Sequence, residues 1–368
     1  MRFGWTLLTL VMVTTAEAQF AADAYLGTMH DDNIGNNMLA DPDNISILSG
    51  TAQYAWEGER WEAELVYAGS YEYFTQAIER SRTDHVAGVR WSRSTGAEGE
   101  NVLTLGGEVS LGLFHDGLSF YDHRTAAVSA SYKHFVADDL YAEGGYDVRA
   151  FSFMNAAVFS FTEHRLHLQT GWAAGAGTTL ILRAEAGAKY YAEALTGTDE
   201  GKGWLTGTVP DVAQTVMLAR VGQRLGESTG LSATLHYQHG LNKKPRYLVD
   251  DEGYLIADDE LFDDQYGYEG LSAVMMFTHF FSETFQVRAT GSRSSRDYLT
   301  LPAYDVNGAI LSDRRSDDRY VLTLAMECGL FGTGALYRMA VDLIDQRSND
   351  PYYTYKNTAV SAGIALPF

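Results

Sequence analysis

Over most of the chain, apolar residues fall on every second position. In the segment from Trp61, the residues Trp61, Ala63, Leu65, Tyr67, Gly69, Tyr71 and Tyr73 alternate with Glu62, Glu64, Val66, Ala68, Ser70 and Glu72. Further on, Leu180, Leu182, Ala184, Ala186, Ala188 and Tyr190 alternate with Arg183, Glu185, Gly187 and Lys189, and Tyr337, Met339, Val341 and Leu343 oppose Arg338, Ala340 and Asp342. A period of two predicts β-strands with one greasy face. In a soluble sandwich the outer face would be rich in Lys and Glu. Here the second face is often Gly, Ser, Thr and Ala mixed with both signs of charge, which fits a wet interior with the apolar set turned to lipid. Segments 212–223 and 271–281 leave the parity open.

The connections between these segments come in two alternating kinds. Short ones are read at 57–60, 96–100, 136–139, 173–177, 226–230, 282–284 and 331–334. The others are mostly longer and polar: 35–44, 76–83, 115–122, 152–156, 193–211, 243–266, 299–318 and 350–352. Residues 152–156 and 350–352 are brief and join the second set by their order. Short and long in alternation predict an all-β, transmembrane up-and-down antiparallel β-barrel with turns on the periplasmic side and loops outside. The count is about sixteen strands, with fourteen or eighteen open.

Aromatic placement gives the same orientation. Trp56, Trp61, Trp91 and Trp172 lie within a few residues of a short turn, as an interfacial girdle requires. Tyr71, Tyr73, Tyr121, Tyr247, Tyr266, Tyr268, Tyr298, Tyr352 and Tyr353 crowd the opposite strand ends and predict a second girdle there.

Residues 1–18 have the layout of a secretory signal peptide: Arg2, a largely apolar run from Trp5 to Val13, and Ala16-Glu17-Ala18 as a cleavage site before Gln19. The run is too short to span a bilayer, and no Cys near the cleavage site suggests a lipid anchor. Nothing after residue 18 approaches the roughly twenty apolar residues of a spanning helix, so an exported chain that crosses a membrane must use strands. The 23 tyrosines, 17 phenylalanines and 36 glycines against 6 prolines suit that reading. Cys328, the single cysteine, excludes an internal disulfide. A net charge of −21 argues against a nucleic-acid partner, which needs a basic face.

The last segment, from Thr354 to Phe368, has Val360, Ala362, Ile364, Leu366 and Phe368 on one face and small or polar residues on the other. A final strand of this pattern ending in phenylalanine resembles the last strand of Gram-negative outer-membrane β-barrels, and the resemblance implies that Phe368 carries the signal read by the barrel assembly machinery. From Gln19 to Phe368 the chain looks like a porin-type outer-membrane barrel. The run Arg347-Ser-Asn-Asp-Pro-Tyr-Tyr353 resembles the closing hairpin of several large families of such barrels, and so does the opening Asp31-Asp-Asn-Ile34. Neither motif names one family or a substrate. The first strand is expected almost directly after cleavage, leaving no room for a helical-repeat domain or an N-terminal plug.

Inward-facing charge is the most informative chemistry. On three successive strands it runs Glu143, Asp147 and Arg149, then Glu163, Arg165 and His167, then Arg183, Glu185 and Lys189, which antiparallel pairing would bring into a ladder of alternating sign. Arg90, Glu108, Lys133, Arg288, Arg338 and Asp342 are expected inward on other strands. Such a wall either keeps itself ionised and solvated or sets up a transverse field that orients a passing solute. Between Asp250 and Asp264 lie eight acids with no Lys or Arg, and Tyr254, Leu255 and Ile256 after Glu252-Gly253 suggest a projecting hairpin. The acids suit Ca²⁺ in kind, but their spacing does not match the twelve-residue calcium loop, so a solvated tip or lid is expected and no cofactor. Residues 301–313 repeat the design with a turn at Asn307-Gly308.

His30 beside Asp31 and Asp32, His115 beside Asp116, and His236 with His239 are the histidines to weigh for hydrolysis. Strand neighbours point to opposite faces, so catalysis is not expected. The sequence therefore predicts passive diffusion of small polar or charged solutes across the cell outer membrane, through a lumen that about sixteen strands leave open. Its expected partners are outer-membrane lipid, lipopolysaccharide, the assembly machinery and, as an open matter, further copies of itself. An export or assembly component, and a surface adhesion or structural barrel with a blocked lumen, stand as alternatives.

Overall fold

The structure is a computed structural model that describes residues 17–96, 99–155, 160–191, 211–242, 248–249, 255–256, 266–330 and 334–368. Residues 1–16 of the expected leader lie outside the described residues, and the first strand begins at Glu17, two residues before the expected cleavage point. The strands are β1 (Glu17–Asp31), β2 (Asp43–Gly58), β3 (Trp61–Phe74), β4 (Arg82–Thr95), β5 (Asn101–Phe114), β6 (His123–Ala137), β7 (Leu140–Phe153), β8 (Phe161–Ala174) and β9 (Thr178–Tyr191). They continue with β10 (Val212–Arg224), β11 (Thr229–Gly240), β12 (Leu248–Val249), β13 (Leu255–Ile256), β14 (Tyr268–Ser282), β15 (Phe285–Tyr304), β16 (Ile310–Gly329), β17 (Leu336–Ser348) and β18 (Tyr355–Pro367).

Sixteen of these strands close into one antiparallel barrel in chain order, with β18 returning to pair with β1; β12 and β13 form a separate two-stranded ribbon. Closure leaves no sheet edge, so the ladder amides pair strand to strand all round the ring rather than with water. No helix among the described residues is long and apolar enough to cross a membrane.

Register fixes the faces. Leu26 pairs with Leu48, Leu48 with Tyr71, Leu65 with Val89, Leu166 with Ala186, and Leu322 with Leu343. The large apolar side chains at these sites are exposed and outward. The two segments of open parity resolve by pairing: Met217 opposite Ala184 and Leu271 opposite Tyr237 put the odd positions of β10 and β14 outward.

Buried side chains gather at the loop end of the barrel. Ile34, Ile45 and Phe74 form a small core there, and Tyr121, Phe153, Phe161, Tyr266, Tyr298, Leu301 and Tyr353 are also buried. This corrects the expected tyrosine girdle. Tyr71, Tyr73 and Tyr352 are exposed, whereas Tyr121, Tyr266, Tyr298 and Tyr353 are buried, Tyr268 lies on the inward parity of β14, and Tyr247 is outside the described residues. Loops that fold inward give a tyrosine ring packing partners that water and lipid headgroups cannot match. A second correction concerns residues 299–318, expected as a loop. β15 runs on to Tyr304 and β16 starts at Ile310, leaving only Asp305 to Ala309 as a tip. Register shifts around Pro302 bend this extension where proline withdraws a ladder donor.

Candidate functional site

The strands β6 to β9 carry one charged inner wall. Antiparallel register sets Asp147 opposite Arg165, Arg149 opposite Glu163, Glu163 opposite Lys189, and His167 opposite Glu185. The Glu163 carboxylate is fully buried and lies 2.6 Å from Arg149 Nη2. Lys189, also buried, stacks its ammonium 4.3 Å from the centroid of Phe161 and 4.7 Å from that of Tyr266. Nearer the turns, Glu143 lies 3.8 Å from Lys133 and 3.7 Å from His167, whose other ring nitrogen is 3.6 Å from Asp147. Arg183 pairs with Glu185 at 2.5 Å. Burial of Glu163 and Lys189 is tolerable because Glu163 meets the Arg149 guanidinium and Lys189 two aromatic faces; a lone ion there would cost several kcal/mol. Arg165 has no carboxylate within 4.0 Å among the described residues.

A second charged wall stands across the lumen. Going round the sixteen-strand ring from β7, β17 is eight steps away in either direction. On that side Arg338 Nε lies 2.7 Å from Glu327, Gln286 donates to Glu327 at 3.0 Å, and Thr323 donates to Asp342 at 2.5 Å. Arg288, with no carboxylate within reach among the described residues, joins Asp23, Tyr25, Glu327, Arg338 and Ser361 around a cavity of about 590 Å³. Arg90 pairs with Glu64 at 2.6 Å on the inward parity of β4, and Glu108 shares that parity on β5.

Tyr266 joins the barrel's loop end to the first wall. It precedes β14, yet its Oη donates to Glu163 Oε1 of β8 at 2.7 Å. Between β14 and β8 stand β11, β10 and β9. Four strand spacings amount to about 19 Å along the wall. A tyrosine side chain reaches only part of that, so Tyr266 itself lies inside the ring rather than against the wall at β14. Val212, Gln214, Val216 and Gln238, on the inward parity of β10 and β11, are buried. Gly187 lies under the hydroxyl: a Cβ there would collide with Tyr266 Oη.

The extended hairpin of β15 and β16 is held at the mouth by Arg315. Its guanidinium, 1% exposed, pairs with Asp317 at 2.5 Å and lies 4.5 Å from the ring of Tyr298 and 3.2 Å from that of Tyr353. Asp350 accepts from Tyr304 N at 3.1 Å and Tyr352 N at 3.0 Å, tying the same hairpin to the loop before β18. At the tip, Asp305 accepts from the amides of Ala309 and Asn307, each at 2.8 Å, which lowers its carboxyl below the ordinary value. The two short sequence motifs meet at the seam. Thr358 N donates to Asp32 Oδ1 at 2.7 Å, Asn357 Nδ2 to Asn33 O at 3.0 Å, and Met38 N to Tyr352 O at 2.9 Å. Asp43, fully buried, accepts from the amides of Asn44, Thr75, Gln76 and Ala77 and so caps the connection from β3 to β4.

Sequence reasoning grouped the β7, β8 and β9 charges but missed Tyr266 as a lumen residue and Arg315 as an anchor, since both act over long sequence distances. Of the acidic stretch, only the ribbon of Leu248 with Ile256 and Val249 with Leu255 is described; the eight acids lie outside the described residues. No group of three or more His, Cys, Asp or Glu among the described residues could hold a metal ion. His30 bonds Asn44 at 3.0 Å on the outward parity while Asp31 has the inward one, and His239 sits 3.1 Å from Glu269. Phe368, 75% exposed, exchanges backbone hydrogen bonds with Ala22 on β1.

No protein-family model matches the sequence, and no curated protein matches it. Solved structures do match in fold. OccAB1 of Acinetobacter baumannii superposes with a TM-score of 0.50 at 10% identity over 95% of this chain and 96% of that one. OccK8 (OprE) of Pseudomonas aeruginosa gives 0.50 at 10% identity over 96% and 98%. CdiB from Acinetobacter baumannii gives 0.54 at 8% identity, over 94% of this chain and 60% of that chain. At such identities the likeness is one of fold.

Proposed function

We propose that the chain is an outer-membrane channel of porin type that lets small polar or charged solutes diffuse passively, narrowed near its outer mouth by Tyr266 and the charges around Glu163. The observation that carries this is the pairing of an outward apolar face with an inward face of mixed charge in a closed ring of sixteen strands. A barrel of that size is wide enough for an aqueous lumen, where an eight-stranded one fills with side chains. Glu143, Asp147, Arg149, Glu163, Arg165, His167, Arg183, Glu185 and Lys189 then line one side, and Arg288, Arg338 and Asp342 the other. Opposed walls of both signs orient a dipolar solute without binding it tightly, which suits rapid exit.

Export of the chain depends on a leader at residues 1–18, and Phe368 at the seam is the signal for barrel assembly. The test of function is a planar-bilayer recording with the purified protein. Stepwise conductance that scales with bulk salt supports a channel. The second reading, a barrel shut by its loops, draws on the buried residues at the mouth and requires silence in the same recording. Discrete conductance in the wild type excludes it.

A further inference from the structure

The outward face carries a cluster of charge that the lumen does not use. On β15 to β18 one cross-strand row reads Arg293, Tyr320, Asp345 and Lys356, and Asp318 and Arg347 pair in the next row. All six have the outward parity of their strands. The row on the turn side of it contains Leu322 and Leu343, exposed and apolar. The cluster therefore begins where the apolar band ends, on the loop side.

Its geometry is that of an anion seat. Arg293 Nη2 is held by Asp318 at 3.2 Å and Arg347 Nη2 by Asp345 at 3.3 Å, so each guanidinium is oriented by one edge and keeps its other donors for solvent. Both guanidinium carbons stand near the Tyr320 ring, at 5.3 and 5.7 Å. Lys356 is exposed and has no carboxylate within 4.0 Å among the described residues. Three cations thus face two carboxylates in these two rows, with Lys356 unneutralised. Beneath them a depression of about 640 Å³ runs into the apolar band past Ala273, Gly291, Leu322 and Leu343. A Cβ built on Gly291 meets nothing within 4 Å, so the depression is open there.

We propose that this face seats a phosphorylated outer-leaflet glycolipid, its phosphate on Arg293, Arg347 and Lys356 and one acyl chain along Gly291. Charge complementarity selects the phosphate, and the continuity of the cationic row with an apolar groove selects an amphiphile over a free ion. The proposal rests on the reading of the chain as a membrane-spanning barrel with its loops outside. It does not depend on conduction.

The experiment is native mass spectrometry of the full barrel released from detergent, with bisphosphorylated lipid A, its dephosphorylated form and phosphatidylglycerol as probes. One lipid A should be retained by the wild type, with at least tenfold lower occupancy in R293A/R347A/K356A and for the dephosphorylated probe. Gly291→Leu fills the groove and should lower retention with the cations intact. Arg124→Ala, on the far side of the ring, should leave it unchanged. Heat-modifiable migration verifies that each variant is folded, and bilayer conductance should be the same in all. Equal retention by the triple variant, by the dephosphorylated lipid or of phosphatidylglycerol overturns the site. A wild type that conducts but retains no lipid A overturns it too, while the channel reading stands; a silent wild type that retains lipid A does the reverse.

Discussion

Removing the hydroxyl of Tyr266 tests whether this side chain narrows the lumen. Tyr266→Phe deletes one atom, which now donates to the buried Glu163 carboxylate at 2.7 Å. A hydrogen bond to a charged group contributes about 1.5–3 kcal/mol. At about 1.4 kcal/mol per factor of ten, the equilibrium between held and released forms shifts by roughly 10- to 150-fold. Arg149 still pairs with Glu163, so the wall keeps its charge balance and the barrel should fold as before. Gly187→Val reaches the same end from beneath the hydroxyl, because a side chain at 187 displaces it. In single-channel recordings both variants should show larger mean conductance and more current noise than the wild type, and hydrogen exchange should rise at residues 266–270. If conductance, noise and exchange are all unchanged in both variants, Tyr266 does not hold a constriction and the placement of the narrow point is wrong.

Other outcomes are expected. Arg315→Met removes the guanidinium between Tyr298 and Tyr353 and leaves the buried Asp317 without its cation, only Gln346 still donating to it. Breaking a buried pair costs about 3–5 kcal/mol, so limited proteolysis should cut the β15 to β16 hairpin faster at unchanged barrel heat-modifiability. In a Cys328→Ser background, Val306→Cys at the exposed tip should react with an impermeant thiol reagent on whole cells and Gly226→Cys should not; labelling at 226 would invert the barrel. Replacing the eight acids between Asp250 and Asp264 with Asn and Gln should remove a cation preference seen at low salt, since charges at a mouth are screened beyond about 8–10 Å at physiological ionic strength. Reversal potentials measure this, and anion preference in the wild type at low salt would put the lumen arginines in control. Asp305, whose carboxyl is lowered by the amides of Ala309 and Asn307, should keep its turn above the ordinary carboxylate range and lose it as pH falls through the lowered value. Amide exchange at Ala309 that is flat down to strongly acid pH would refute that.

What the sequence determined by itself is whatever depends on alternation. Period two marked the strands, the parity of Leu65, Leu182 and Leu343 marked the outward face, and the order of short and long connections pointed to about sixteen strands with fourteen or eighteen open, a count that ring closure then fixed at sixteen. These are local properties, because a side chain's face is set by its neighbours one residue away. The grouping of Glu143, Arg149, Glu163, Arg165 and Lys189 on one wall was legible for the same reason, since antiparallel neighbours bring successive strands together. Tertiary structure alone decided which charges meet. Glu163 takes Arg149 and Tyr266 rather than Arg165, and Arg183 turns to Glu185 on its own strand. It also decided which tyrosines face water and which are buried, and that residues 299–318 extend the sheet. Tyr266 and Glu163 are 103 residues apart and Asn357 and Asn33 are 324 apart. A contact of that span appears only after the ring has closed, when burial makes a satisfied polar group worth more than a hydrated one. No pattern within a single strand carries that information.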